Sequence, residues 1–264
     1  MVGMSQRGRV LVVVAALVLL GAQATASVLA WPHVRPRLPA LAPMVTLLDR
    51  AIAAVVSASG TGAAVTVAGT VPATACEKTL LAMGSRFARS ADLYTDPGGE
   101  NALITRIAAA LPEGQHPARS APVGGGAAGL TADFGGGVQL RVSQLGTGWI
   151  AAYAETGCRT GTVPAGTAVP AQARDDVTRL LSQLGTAPTD WHADAVGCFV
   201  TVDTISQPTG TDNLRARLVP IVPPTARTFA APANRLAWRD GTTSTVVAAS
   251  DDGTHITVQR TAGC

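Results

Sequence analysis

The side chains of this 264-residue chain whose types point first to chemistry are four cysteines, four histidines and a few paired aspartates. Cys76, Cys158, Cys198 and Cys264 suit thiolate nucleophiles, soft metal ligands or two disulfides. No C-x-x-C brings two of them together, so zinc or dithiol redox chemistry has no motif. His33, His116, His192 and His255 are scattered, and neither H-E-x-x-H nor G-x-S-x-G occurs. Asp251 and Asp252 beside His255 in "SDDGTH", and Asp92 with Asp96 in "ADLYTDPGG", come nearest to a metal-ligand set. Both stretches also read as turns, where aspartate and glycine supply the backbone geometry. Gly124, Gly126 and Gly129 in "PVGGGAAGL" match G-x-G-x-x-G, but no helix-forming run follows and no acidic residue stands where a ribose would need one. That stretch reads as a flexible loop. We assign no catalytic, cofactor-binding or metal-binding residue from the sequence and expect no cofactor.

The setting of these residues follows from the leader. "MVGMSQRGRVLVVVAALVLLGAQATASVLAW" carries Arg7 and Arg9 ahead of an apolar run. Residues 1–31 are a signal peptide, with Val10 to Leu20 as its apolar region and a small-x-small cleavage site at Ala22–Ala24 or Ala24–Ala26, or a single membrane anchor. As an anchor, Val10 to Trp31 would extend ~33 Å, enough for a bilayer core, with Trp31 at the interface. Either reading puts the rest of the chain outside the cytoplasm, secreted or anchored to the membrane through residues 10–31. Residues 32–43, with Pro32, Pro36, Pro39 and Pro43, form a stiff linker.

Composition narrows the partners. The chain is 47% hydrophobic, which excludes disorder by composition, yet only 4% aromatic. Lys78 stands alone against nineteen arginines, a skew that follows from a GC-rich genome and gives the arginines no automatic function. Without Arg7 and Arg9 the balance falls to 18 basic against 17 acidic side chains. No arginine cluster alternates with aromatics, so nucleic acid is not an expected partner.

The cysteines belong to an internal repeat. "ETGC", ending at Cys158, parallels "TAGC", ending at Cys264, and a gap-free alignment pairs Leu130 with Leu236, Gly135 with Gly241 and Ile150 with Ile256. "PGGENALITRIAAALP" aligns with "PTGTDNLRARLVPIVP", so that Leu103, Arg106 and Pro112 recur as Leu214, Arg217 and Pro223. Upstream of each block stands Cys76 or Cys198, and before that an amphipathic helix. Two diverged copies of one unit are expected at 44–165 and 166–264. The simplest pairing is Cys76–Cys158 and Cys198–Cys264, one bond per unit, although crossed pairings also respect the duplication. Cys264 then ties down the last strand of the second unit as Cys158 does in the first.

Each unit reads as helix–strand–helix–β-hairpin, an α+β class. The first helix spans about Met44 to Ser57, with Leu48, Ala51, Ile52 and Val55 on one face. Its counterpart buries Val177, Leu180, Leu181 and Leu184 and carries Asp175 and Asp176 in its first turn. One strand runs from "AVTVAG" through Cys76 and one through "AVGCFVTVDTI" around Cys198; "SRFARSADLYTD" adds a strand. The second helices cover Glu100 to Leu111 and Thr211 to Val219. Arg106 and Arg217, the charged side chains repeated within that helix block, read either as an anion site or as surface residues covering apolar packing with their stems.

The leader, "ADLYTDPGGENALITRIAAALP" and the endings "ETGC" and "TAGC" together resemble uncharacterised exported or membrane-anchored proteins of GC-rich actinobacteria. The resemblance implies a cell-envelope setting and no activity. The expected function is that of a non-enzymatic extracytoplasmic module binding an envelope protein, lipid or wall component. The competing expectation is an envelope hydrolase that gathers His116, His192 or His255 with a serine and a carboxylate.

Overall fold

The computed structural model describes residues 38–79, 82–120 and 128–263. The leader, residues 32–37 of the linker, His33, Gly124, Gly126 and Cys264 lie outside the described residues. The chain is α+β, with antiparallel sheets and helices packed on them.

Helix α1 (Ala42–Ser59) opens the described chain. It is long and apolar enough to cross a membrane by length and composition. Its stripe Leu48, Ala51, Ile52 and Val55 is instead wholly buried against the first sheet, which is the packing that its 3.6-residue periodicity specifies. The expected single strand through Cys76 is two: β1 (Ala64–Val67) and β2 (Val71–Thr79). Both lie on one edge of β3 (Ala82–Tyr94), β1 against residues 91–94 and β2 against residues 82–88. Helix α2 (Glu100–Ala110) follows, and then a meander of β4 (Ala118–Ser120), β5 (Gly129–Asp133), β6 (Val138–Gly146) and β7 (Trp149–Thr156). The sheet runs β1-β3-β7-β6-β5-β4, with β2 also on β3. In β6, Val138, Leu140 and Val142 are buried and alternate with exposed polar residues, so one face packs on α1 and α2.

Cys76 and Cys158 are bonded, closing an 82-residue separation. Cys76 pairs in register with Gly84 of β3. A Cβ on Gly84 would come within 2.5 Å of the Arg159 carbonyl oxygen, so the missing side chain lets the segment after β7 cross there. Cys198 is also disulfide-bonded; the partner assigned to it by the sequence, Cys264, lies outside the described residues.

The second half holds α3 (Ala171–Gln183), β8 (Pro188–Val196), β9 (Phe199–Ser206), α4 (Leu214–Leu218), β10 (Arg227–Phe229), β11 (Arg235–Asp240), β12 (Thr243–Ala249) and β13 (Ile256–Ala262). Its sheet runs β10-β11-β12-β13-β9-β8. The first sheet contains the path β4-β5-β6-β7-β3-β2. Element for element, the two paths have the same order.

Five sequence expectations need correction here. Cys198 does not sit within a strand: Gly197, with φ +58°, and Cys198 form the tight turn between β8 and β9. The second half therefore has a β-hairpin where one strand was expected, and each half has a four-strand meander where a closing hairpin was expected. Helix α3 starts at Ala171, which moves Asp175 and Asp176 out of the first turn; Asp176 instead receives Arg260 of β13 at 2.8 Å. Helix α4 is only five residues, because Asn213 precedes it in the left-handed conformation and the chain passes into a 3-10 turn at Val219–Ile221 around Pro220. The gap-free alignment is also one residue out at β12. Leu130 faces Val142 across β5 and β6, whereas Leu236 faces Val247, not the aligned Ala248, across β11 and β12. In a strand that slip exchanges the two faces.

The halves meet sheet to sheet at one end. Val247 packs toward α3 and α4, whereas its neighbour Val246 joins Ala64, Tyr94, Phe229 and Ala237 in a small cluster between the sheets. Val196 of β8 inserts into the core of the first half.

Candidate functional site

The repeated arginines have a geometric explanation. Arg106 on α2 donates from Nε to the Ala58 carbonyl at 2.9 Å and from Nη2 to the Ser59 carbonyl at 3.1 Å. Arg217 on α4 donates to the Leu184 carbonyl at 2.5 Å and to the Gly210 carbonyl at 2.7 Å. Ser59 ends α1 and Leu184 follows the last residue of α3. Each arginine thus caps the carbonyl end of the preceding helix in its own half, where a cation also meets the negative end of the helix dipole. Neither reading offered by the sequence named that role.

The aspartates of the suspected metal sets are turn and seam residues. The Asp252 carboxylate accepts from Ser250 Oγ at 2.6 Å and from the Thr254 amide at 3.0 Å. These bonds hold its carboxyl down at about 2, well below the usual range. His255 Nδ1 lies 2.7 Å from Thr254 Oγ1. Asp96 is exposed and paired with Arg227. No group of three His, Cys, Asp or Glu side chains is disposed to hold a metal ion among the described residues. Gly129 opens β5 and is no loop residue; a Cβ there would meet Ser120 Oγ at 2.6 Å. The three described histidines stay on separate elements: His116 follows a 3-10 turn in left-handed backbone, His192 is on β8 and His255 precedes β13. His192 pairs in register with Asp203 of β9. Burial pushes the Asp203 carboxyl up, His192 draws it down and Asp194 pushes it up further, with a net rise.

Charged groups converge where the two halves meet. Arg235 of β11 donates to Tyr94 Oη at 2.8 Å and lies 4.8 Å over the Trp149 ring. Trp149 stacks on Tyr94 and donates its indole N–H to Asp92 at 3.0 Å. Burial raises the Asp92 carboxyl, against the lowering effect of the Trp149 bond and of Arg235. Burial and the Asp92 charge push the Tyr94 phenol up to about 12. Glu100 is buried at the start of α2; desolvation pushes its carboxyl up, but the amides of Gly148, Glu100 and Gly98 pull it below the usual range.

A second convergence lines a cavity of about 340 Å³. Its walls come from α1 (Val45, Asp49), Thr70 in the β1–β2 connection, Arg89 of β3, the connection Pro164–Thr167, and Asp194 and Ala195 of β8. The Arg89 side chain is only 5% exposed. It pairs with Asp49 through Nη1, donates to the Ala195 carbonyl at 2.8 Å through Nη2, and has Asp194 at 4.0 Å. The sequence reading missed Arg89, although Phe87, Ala91 and Leu93 form the apolar alternation of β3 and an arginine at that spacing signals a buried charge. Asp49, Thr70 and Asp194 carry no such signal, since each joins the site through tertiary packing. A wider cavity of about 770 Å³ lies beside α4, between Leu214, Val219, Asn234 and Ala249.

No protein-family model and no curated protein matches the chain. One solved structure, the complex structure of Pseudomonas aeruginosa MucA/MucB, is similar at 10% identity over 81% of this chain and 93% of that chain. Its TM-score of 0.15 carries no argument about fold or function.

Proposed function

We propose that this chain is an internally duplicated, non-enzymatic extracytoplasmic protein of the cell envelope, held by its leader and proline-rich linker, that binds an envelope component. The observation that carries the reading is what the repeated residues do. Arg106 and Arg217 cap helices, and the repeated leucines Leu103 and Leu214 fill cores. The repeat thus preserves folding positions, which is what a binding scaffold requires of its copies. The common strand order of the two sheets supports the duplication. The Cys76–Cys158 bond supports export, since disulfides persist outside the reducing cytoplasm. The kinship with envelope proteins of GC-rich actinobacteria belongs to the same reading.

The hydrolase reading keeps one specific observation, the facing pair of His192 and Asp203 across β8 and β9, which has the form of a base and the group that orients it. Turnover by the purified full chain on ester, peptide and glycan panels separates the two. The binding reading expects none. Turnover that survives repurification and disappears in His192→Ala would replace it with the hydrolase.

A further inference from the structure

The sheet of the second half carries one row of side chains that its core leaves open. Trp238 of β11 pairs in register with Thr245 of β12, and Thr245 with Arg260 of β13. The row lies on the helix-covered face, where Trp238 joins Leu236, Val247 and Val258 in the core beneath α3. The first sheet runs the same strand path, and its matching row is Ala132, Leu140 and Ala154, all sealed in that half's core. Where the first half has three apolar side chains, the second has an indole, a hydroxyl and a guanidinium. A cleft of about 350 Å³ opens over them, roofed by α3 and by the chain at Ile221 and Pro223. The polar groups of the row have no duty within the fold. Trp238 and Thr245 are each only 4% exposed, yet the indole N–H and the Thr245 hydroxyl have no hydrogen-bond partner among the described residues. Neither belongs to the polar atoms sealed from solvent, so both open onto the cleft that their residues line. Donors held idle in nearly buried side chains are costly, and two at one opening point to an occupant. The charge of the lining gives its sign. Arg260 lies 2.8 Å and Arg179 3.4 Å from the one carboxylate of Asp176. Gln172 donates to that carboxylate as well, at 3.0 Å. Two guanidiniums share one carboxylate whose oxygens are already engaged, so the cleft has a net charge of plus one and a surplus of donors.

We propose that this cleft binds a small organic monocarboxylate: one carboxylate on an uncharged body, the chemistry shared by N-acylated amino acids and carboxylated sugars. The carboxylate accepts from the Arg260 guanidinium, the Thr245 hydroxyl and the Trp238 indole N–H. Direct cross-strand neighbours have Cβ atoms about 4.5–5.5 Å apart, so donors on one row reach a single anion. Arginine is the side chain that matches a carboxylate best, through two parallel N–H groups. One negative charge balances the cleft, whereas a phosphate dianion would exceed its charge. The body of the ligand lies against Leu180, Ile221 and Pro223, which supply the apolar side of the cleft. The volume of about 350 Å³ falls at the small end of known ligand sites. This inference rests on the binding reading and gives it a ligand class and a location, but the two fail separately. Hydrolytic turnover would overturn the binding reading, whereas the titrations below bear on the cleft alone.

The test is a magnetic-resonance titration of the isotope-labelled full chain in mild detergent, followed on the indole N–H signals, with Trp238→Phe identifying the signal that reports on the cleft. The probes are N-acetylalanine and glucuronate, their uncharged counterparts N-acetylalaninamide and glucose, and inorganic phosphate. A saturable shift of the Trp238 signal with a carboxylate, and none with its uncharged counterpart, is the expected result. Arg260→Gln should weaken binding by about tenfold or more, and Thr245→Val by about threefold. Thr245→Val keeps the side-chain shape, so its circular dichroism should match the parent and separate lost binding from lost fold. Tighter binding of N-acetylalanine makes the body an acylated amino acid, and tighter binding of glucuronate makes it a sugar; either supports the site. Equal binding of the uncharged counterparts, tighter binding of phosphate than of either carboxylate, or unchanged affinity in both variants would overturn the proposal. So would the absence of any saturable shift, which would leave the cleft to water.

Discussion

The two halves run the same strand path yet are packed differently. In the first, α1 and an eleven-residue α2 cover the sheet, and 24 of its described apolar residues, joined by Val196 of β8, form one buried cluster. In the second, α4 is five residues long and ten buried residues form the matching cluster. Where α4 stops short, the wide cavity opens beside Leu214, whereas Leu103 at the aligned position is sealed among Ile104, Ile107 and Leu130. A strand order survives such a difference because backbone ladders and hairpin turns specify it, while side-chain volume decides how tightly the helices close. The first half is therefore the rigid frame and the second the softer partner. The charged residues between them lie where neither core had to be filled.

The comparison can be broken at several points. The largest effect belongs to the bond that closes 82 residues of the first half. Replacing Cys76 and Cys158 with serine should lower stability by about 4–5 kcal/mol in the chain-entropy model, measured by urea unfolding. An unchanged midpoint would show that the frame does not depend on the bond. Next come the aligned leucines. Leu103→Ala should cost about 3–4 kcal/mol, and Leu214→Ala about 2 kcal/mol, because the second site already borders a cavity. Equal losses would contradict the packing difference.

The arginine caps sharpen the comparison in the other direction. Arg106→Ala and Arg217→Ala should each cost about 1 kcal/mol, since the same duty is done in both halves. A loss confined to one would show that the shared role is only geometric. The smallest effect is at the seam, where burial raises the Asp92 carboxyl. A folded-state value above the unfolded one means that its stabilising contribution is complete below the unfolded pKa and is lost as pH rises through the folded one. Asp92→Asn removes that loss and keeps an acceptor for Trp149. Thermal melts of parent and variant should diverge as pH rises above the acidic range and should not diverge further once Asp92 is fully ionised.

The α+β class was legible in the sequence, as were the apolar stripe of α1 and the β6 alternation, because each is a local period; the Cys76–Cys158 bond was the simplest of the pairings that the aligned cysteines allowed. Helix α4 was overextended because "TDNLRARLV" has helical spacing, and only the left-handed Asn213 and the following 3-10 turn shorten it. The β12 slip was hidden because loops of different length on its two sides compensate: two residues separate β11 from β12 where four separate β5 from β6. The capping role of Arg106 needs the end of α1, 47 residues upstream in sequence, to be nearby. Of the cavity, only Arg89 left a trace, as a charge in an apolar alternation. Asp49, Thr70 and Asp194 meet it through the docking of two halves, which no local pattern encodes.

The contrast between frame and softer partner is tested most directly by native-state hydrogen exchange on the oxidised full chain. The amides of β5, β6 and β7 should open only with global unfolding, and those of β11, β12 and α4 should open at a lower free energy. Uniform protection across both sheets, or earlier opening of the first, would contradict the account.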